Sequence, residues 1–440
     1  MHLLAAVILC FIPFHVLPSQ ATLVDPSILG MPSGPWPLVR NGRNGPETFL
    51  IPDRIKEIRR LSEPERSELL KVIREHEANL SFLRKTTSAF VGRINSQRFR
   101  ASPEYALDAG RVLMAVDFEN AGDDNPLRAH EPVLQALPSY ARVVLLAPKL
   151  ALSKVRARIQ ALGLGTKVRI VVTHDRSRMS ASRHGVTRWI RDVLLTTREG
   201  PQTVLLASLA HRDYVDVSHN DLAYLARISK PEHQVLRMPI FLRGGNLAVA
   251  RAGRTVLFIG SEELKMNQQW FVETFAFSPP PGAIAKILRA ATGADEVAVL
   301  PNSRNLYHLD MYVVPIRDGA VGLLSPVVPS AVDPVDGEVL SKARASLERL
   351  GFQVVPIPTT AERIRSFQSP VNIVPFTDRT TGARRALVPV FPEPEGNGAR
   401  NSLNAKVLAA YRAAGLEPVP VVDWFHLRGG NLHCAVVPLQ

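Results

Sequence analysis

The sequence predicts an α/β fold, a pseudo-symmetric ring of five repeats preceded by a short N-terminal helical extension. Two observations carry this. Helical segments end at Gly163, near Ser229, and at Gly293, Gly351 and Gly415, about sixty residues apart, and a regular period marks repeat architectures. Each helix is followed by a strand, a polar position and a hairpin. Two copies also share a string, since Leu242 to Leu247 and Leu427 to Leu432 both read LRGGNL.

The elements follow in order. Residues 1–21 are expected to be a signal peptide: Leu3 to Phe14 is an apolar run too short to span a bilayer, and Ser19-Gln20-Ala21 offers a small-residue cleavage site. Export, extracellular or periplasmic, is the expectation. Residues 22–104 form an arm and helical extension. The stretch 22–45, rich in Pro and Gly, reads as irregular, and 52–84 reads as a helix with Ser62 and Glu65 at capping-box spacing. Arg111 to Phe118 is a strand. A helix at 151–162 and a strand at 167–173 follow, then Asp192 and a hairpin turning at Gly200-Pro201.

The second copy has a helix at 221–229, a strand at 234–240, Gly244-Gly245-Asn246 and a hairpin around Gly253. The third has a helix at 283–292, a strand at 296–300, His308 and Asp310, and a turn at Asp318-Gly319. The fourth has a helix at 341–350, a strand at 352–357, Asn372 and a turn near Gly382. The fifth has a helix at 404–414, a strand at 417–422 and Gly429 to Cys434, and ends with one strand, 432–438. The strand at 111–118 precedes the first repeat and has no partner of its own, so it is the expected neighbour of that last strand. An exposed edge there would invite movement and aggregation.

Composition narrows the chemistry. The net charge is +13, none of it from residues 1–21, and a basic surface suits anionic neighbours. No zinc-finger or helix-turn-helix pattern accompanies it, so a solvated surface is expected and no nucleic-acid partner. No stretch is long enough for a transmembrane helix.

After removal of residues 1–21, which contain Cys10, only Cys434 remains as a thiol. Such a thiol forms an intermolecular bridge, packs as a small hydrophobe or reacts. Asp192, His308, Asp310, Asn372 and Cys434 occupy the same slot in successive copies, and equivalent slots of a symmetric ring can meet. A thiolate attacks an electrophilic carbon, a histidine moves the proton, and two carboxylates match a guanidinium. His433 beside Cys434 is an alternative base, but strand alternation predicts that it faces away from the thiol's side.

Tyr307-His308-Leu309-Asp310 and the terminal Gly-Gly-Asn-Leu-His-Cys resemble the signatures of the guanidino-group-modifying enzymes, over about residues 105–440. RWIRD at 188–192 resembles a string of protein-arginine deiminases, as do Asp423-Trp424-Phe425-His426 with Gly430, His433 and Cys434, and Pro370-Val371-Asn372. The GGN-x-HC spelling is equally similar to agmatine deiminases. The resemblance implies a pentein catalytic domain at 105–440, a five-bladed α/β propeller. It also implies Cys434 as nucleophile, His308 as general acid/base, and Asp192 and Asp310 on the guanidinium, with Gly245, Asn246, Asn372 and Gly430 at the substrate. The expected reaction is deimination of peptidyl arginine; a small guanidine such as agmatine or arginine is the alternative, and an amidinotransferase a further one. Family members that need calcium carry oxygen ligands around the upstream Asp. Here Arg191, Val193 and Leu195 surround it, so no cofactor is expected.

Overall fold

The computed structural model describes residues 24–31, 37–42, 45–50, 62–96, 98–116, 123–173, 188–209, 233–393 and 402–439. The expected signal peptide and the helix expected at 221–229 lie outside them.

The arm differs from its expectation. Pro37–Gly42 pairs antiparallel with Gly45–Leu50, Gly42 opposite Gly45, because the glycines that suggest irregular chain sit at the inner ends of the two strands, where they do not interrupt the pairing. The helix that follows runs Glu63–Ser96. The Glu half of the expected capping box is present: Glu65 Oε2 folds back and accepts both the Ser62 N–H and its hydroxyl at 2.9 and 2.6 Å. It outruns the expected end because burial of Phe90 and Val91 overrides the weak helix propensity of the preceding Thr-Thr-Ser run. Leu80, Leu83 and Phe90 share a core with Trp270, Phe271 and Phe275 of the helix Ser261–Phe275. That helix was not expected. Asn95 Nδ2 holds Val24 O at 2.8 Å, tying the arm to the helix end.

Five mixed sheets carry the rest. Three are built alike: an antiparallel hairpin whose second strand pairs in parallel with the strand after a helix. They are Leu247–Ala252, Arg254–Gly260 and Glu296–Leu300; Val313–Arg317, Ala320–Pro326 and Gln353–Thr359; and Val374–Thr377, Arg384–Val390 and Glu417–Val422. The fourth has Leu194–Glu199, Gln202–Ala207 and His233–Arg237, with Phe99–Arg100 added at its edge.

The fifth sheet joins the two ends of the chain. Val437–Leu439 pairs antiparallel with Arg111–Ala115, Val437 opposite Leu113 and Leu439 opposite Arg111, so the strand at 111–115 completes the last repeat. Pro438 is tolerated because its strand is an edge. Arg142–Pro148 and Val168–Thr173 extend this sheet in parallel. The first of these was not anticipated. It is buried at six of seven positions and therefore shows no alternation, as parallel strands covered on both faces do.

Helix Ala283–Thr292 buries Ile284, Ile287, Leu288 and Ala291, one helical stripe, and ends at Gly293 with φ +63°. Among the described residues no helix is long and apolar enough to cross a membrane.

Candidate functional site

Each hairpin is entered through a turn, and the turns carry the polar residues. Asp192 lies in the 3-10 turn Ile190–Val193 and Gly244–Asn246 form the next. His308 immediately precedes Leu309–Met311, which holds Asp310. Asn372 stands just before strand 374–377. Cys434 lies in the turn His433–Ala435. The first of these turns packs on both the second and the last, and the second on the third. The contact is close: a Cβ on Gly244 would lie 2.1 Å from Arg191 O.

Side chains converge there. A Cβ on Gly245 would lie 2.7 Å from His308 Nδ1, 3.1 Å from Asp310 Oδ2 and 3.3 Å from Asp192 Oδ1. The space that its missing side chain leaves is thus common to the histidine and both carboxylates. His308 Nδ1 is 3.9 Å from Asp192 Oδ1, and Gly245 N donates to the same oxygen at 3.3 Å. Cys434 Sγ donates to Asp310 Oδ2 at 3.4 Å, and Asn372 Nδ2 reaches the sulfur at 3.5 Å. Asn372 also donates to Asp310 O at 3.0 Å and accepts from His433 N at 2.6 Å. It fixes the thiol and the carboxylate relative to each other.

Cys434, His308, Asp192, Asp310, Gly245 and Asn372 therefore come together. Two other expected substrate contacts are placed differently. Asn246 Oδ1 accepts Leu309 N at 3.1 Å and so braces the turn that bears Asp310. Gly430 lies against the Trp189 ring, where a Cβ would approach to 2.6 Å.

His433 corrects an expectation. It does not face away: its Nδ1 is 2.9 Å from Asp310 Oδ2, the oxygen that also meets the thiol. The alternation rule fails because 433–435 is a 3-10 turn, with three residues per turn instead of two. His433 Nε2 lies 2.8 Å from Glu104 Oε2, and Glu104 in turn bonds Arg191 Nη1. Arg191 donates from Nε to His433 O and from Nη2 to Val436 O, both at 2.9 Å. Sequence reasoning missed this support. Arg191 could have been found from its place beside Asp192, but Glu104, far away in sequence, gives no signal.

The electrostatics divide the roles. Burial and Arg191 work to lower the His433 pKa, but Glu104 and Asp310 outweigh them and raise it. Both ring nitrogens of His433 are taken up by carboxylates, Nδ1 at Asp310 and Nε2 at Glu104. Burial pushes Asp310 upward, yet the hydrogen bond and charge of His433 leave it below the usual carboxylate range. Burial also works to raise Glu104, but Arg191 and His433 hold it at about 2. Burial and the charges of Asp310 and Asp192 push the Cys434 thiol well up. Asp310 Oδ1 is buried with no hydrogen-bond partner, which costs about 1–3 kcal/mol or more for a charged group. Among the described residues no group of three His, Cys, Asp or Glu is arranged to hold a metal ion.

No protein-family model and no curated protein matches the chain. Solved structures do. The agmatine deiminase of C. jejuni is 16% identical over 78% of this chain and 96% of its own, with a TM-score of 0.53. That of Enterococcus faecalis is 14% identical over the same shares, also with a TM-score of 0.53. At such identities the likeness is one of fold.

Proposed function

Starting from a chain with the pentein fold of the guanidino-group-modifying enzymes, we propose that it hydrolyses a C–N bond of a guanidinium group, and that its substrate is a small guanidine. The observation that carries this reading is the partnerless, buried Asp310 Oδ1 beside Cys434, with Asp192 across the gap above Gly245. A guanidinium donates N–H groups to both carboxylates. Its charge offsets the two negative charges that hold the thiol protonated. The thiol proton passes to His308, sulfur bonds to the guanidinium carbon, and His308 gives that proton to the departing nitrogen, which leaves as ammonia as its C–N bond breaks. Water then adds to the thiouronium carbon, the C–S bond breaks, and a ureido product leaves with the thiol restored. The five sheets would stand around this site as blades of a propeller, a reading supported by the contacts between successive turns and by the pairing of 111–115 with 437–439.

Two things support a small substrate over peptidyl arginine: several neighbours in fold are named for agmatine, although another, at a TM-score of 0.54, is named a putative peptidyl-arginine deiminase, and the thiol is 4% exposed. The RWIRD and DWF…HC spellings favour the peptidyl reading, and one experiment separates them. Agmatine, free arginine and a blocked arginine peptide are offered to the full chain, with and without a chelator. Ureido product and ammonia are measured together. Equimolar products from a small guanidine, unaffected by chelation, are expected. Fastest turnover of the peptide would overturn the small-substrate reading, and no ureido product from any of the three would overturn deimination.

A further inference from the structure

We propose a second binding site, for a compact multivalent oxyanion bearing phosphoryl or sulfo groups, at the far end of the hairpins. It is independent of the proposed reaction. A cavity of about 760 Å³ is lined there by Arg98, Arg100, Arg198 and Arg251, with Ser102, Thr255 and a single carboxylate, Asp295. The arginines come from the edge strand 99–100 and its approach and from the ends of two successive hairpins. Arg198 lies at the far end of the strand Leu194–Glu199, which leads away from the Asp192 turn. At roughly 3.3 Å per extended residue it is about 13 Å along that strand from Leu194.

The charges there are not neutralised internally. Among the described residues none of the four arginines pairs with a carboxylate, although carboxylates are close by. Glu199, Glu296 and Asp318 are engaged elsewhere, and Asp295, itself in the lining, leaves the four arginines in excess. Glu199 holds Arg93 at 2.6 Å and Glu296 holds Arg254 at 2.5 Å. Asp295 accepts Thr255 N at 2.8 Å, and Asp318 accepts from Tyr105 at 2.7 Å. Arg100 and Arg198 also stand directly opposite each other across an antiparallel pair, a like-charge arrangement that destabilises a sheet. A bound anion reverses the sign of that interaction.

The floor of the cavity is fixed in advance. Ala101 N donates to Thr292 O at 2.7 Å, and Gly293, at φ +63°, lies so close to the edge strand that a Cβ would sit 2.0 Å from Phe99 O. Guanidinium groups bind phosphate or sulfate oxygens in pairs, and four of them call for a ligand with several negative charges. The volume is that of a small-molecule site. Among the described residues no aromatic side chain lines it, so none of them stacks a base.

Calorimetric titration of the full chain tests this, with inorganic tripolyphosphate as the phosphoryl probe and a sulfated disaccharide as the sulfo probe. The double variant Arg100→Gln/Arg198→Gln and the single variant Arg251→Gln are compared, each checked for wild-type melting. The expected result is one-to-one saturable binding of at least one probe, weakened by salt and reduced at least about tenfold in a folded variant. The tighter probe assigns the ligand's source. Absence of saturable binding by both probes, or equal affinity in the folded variants, would overturn the proposal.

Discussion

A methyl group at position 245 would stand where His308, Asp310 and Asp192 converge, 2.7 Å from the imidazole nitrogen. Gly245→Ala is therefore expected to keep the fold, because φ there is not in the left-handed region, and to lose about two orders of magnitude in kcat/KM by displacing the reacting groups. Melting and steady-state kinetics check this. The thiol gives a second test. Its pKa is raised by burial and by Asp310 and Asp192, so inactivation of the free enzyme by iodoacetamide should inflect above about 8.5, the value of a free thiol. Asp310→Asn removes a negative neighbour and should move the inflection down; an unmoved inflection would contradict the coupling. At this scale the convergence of Asp192, His308, Asp310, Asn372 and Cys434 was legible, because their residue types and repeat positions agreed. Their support was not. His433 was misjudged by applying strand alternation to a 3-10 turn, and Glu104 acts across 329 residues of sequence.

Elements were legible where local chemistry decides them. The hairpins turn at Gly200, Gly253, Gly319 and Gly382, all with positive φ, and the helix at 283–292 matches its apolar stripe. The helix at 261–275 escaped because two of its buried positions are Glu263 and Asn267, and the strand at 142–148 because it lacks alternation. The LRGGNL string shows how far sequence identity reaches. Asn246 and Asn431 both reach across to a neighbouring turn, Asn431 Oδ1 accepting Ser369 N at 3.2 Å. Yet Leu242 is buried and Leu427 is 64% exposed. The loop carrying the second copy is anchored by Asp423, whose two oxygens accept Phe425 N at 2.7 Å and Leu432 N at 3.1 Å. Asp423→Asn replaces one acceptor with a donor. It should cost about 1–3 kcal/mol, seen as a lower melting temperature, and slow turnover by loosening the segment that leads to Cys434. Unchanged melting and rate would remove Asp423 from the account.

For the whole molecule, the sixty-residue period made the repeat visible, and the strand at 111–115 was legible as the missing partner of the last repeat because both stood alone in the pattern. The role of the N-terminal extension was not legible. Leu80, Leu83 and Phe90 share a core with residues nearly two hundred positions on, and Phe99–Arg100 edges a repeat sheet; such contacts are set by packing and leave no local trace. The turn 433–435 packs on the turn at 190–193 and is hydrogen-bonded to Asp310 of the turn at 309–311, and the central claim is that the thiol in that turn forms the bond to carbon. The most direct measurement is turnover of a small guanidine by Cys434→Ala, with circular dichroism and melting confirming a folded chain. Loss of several orders of magnitude, about 10⁴-fold or more, is predicted, since the variant lacks the thiol that forms the covalent intermediate in this account. Activity within about tenfold of wild type in that variant would contradict it.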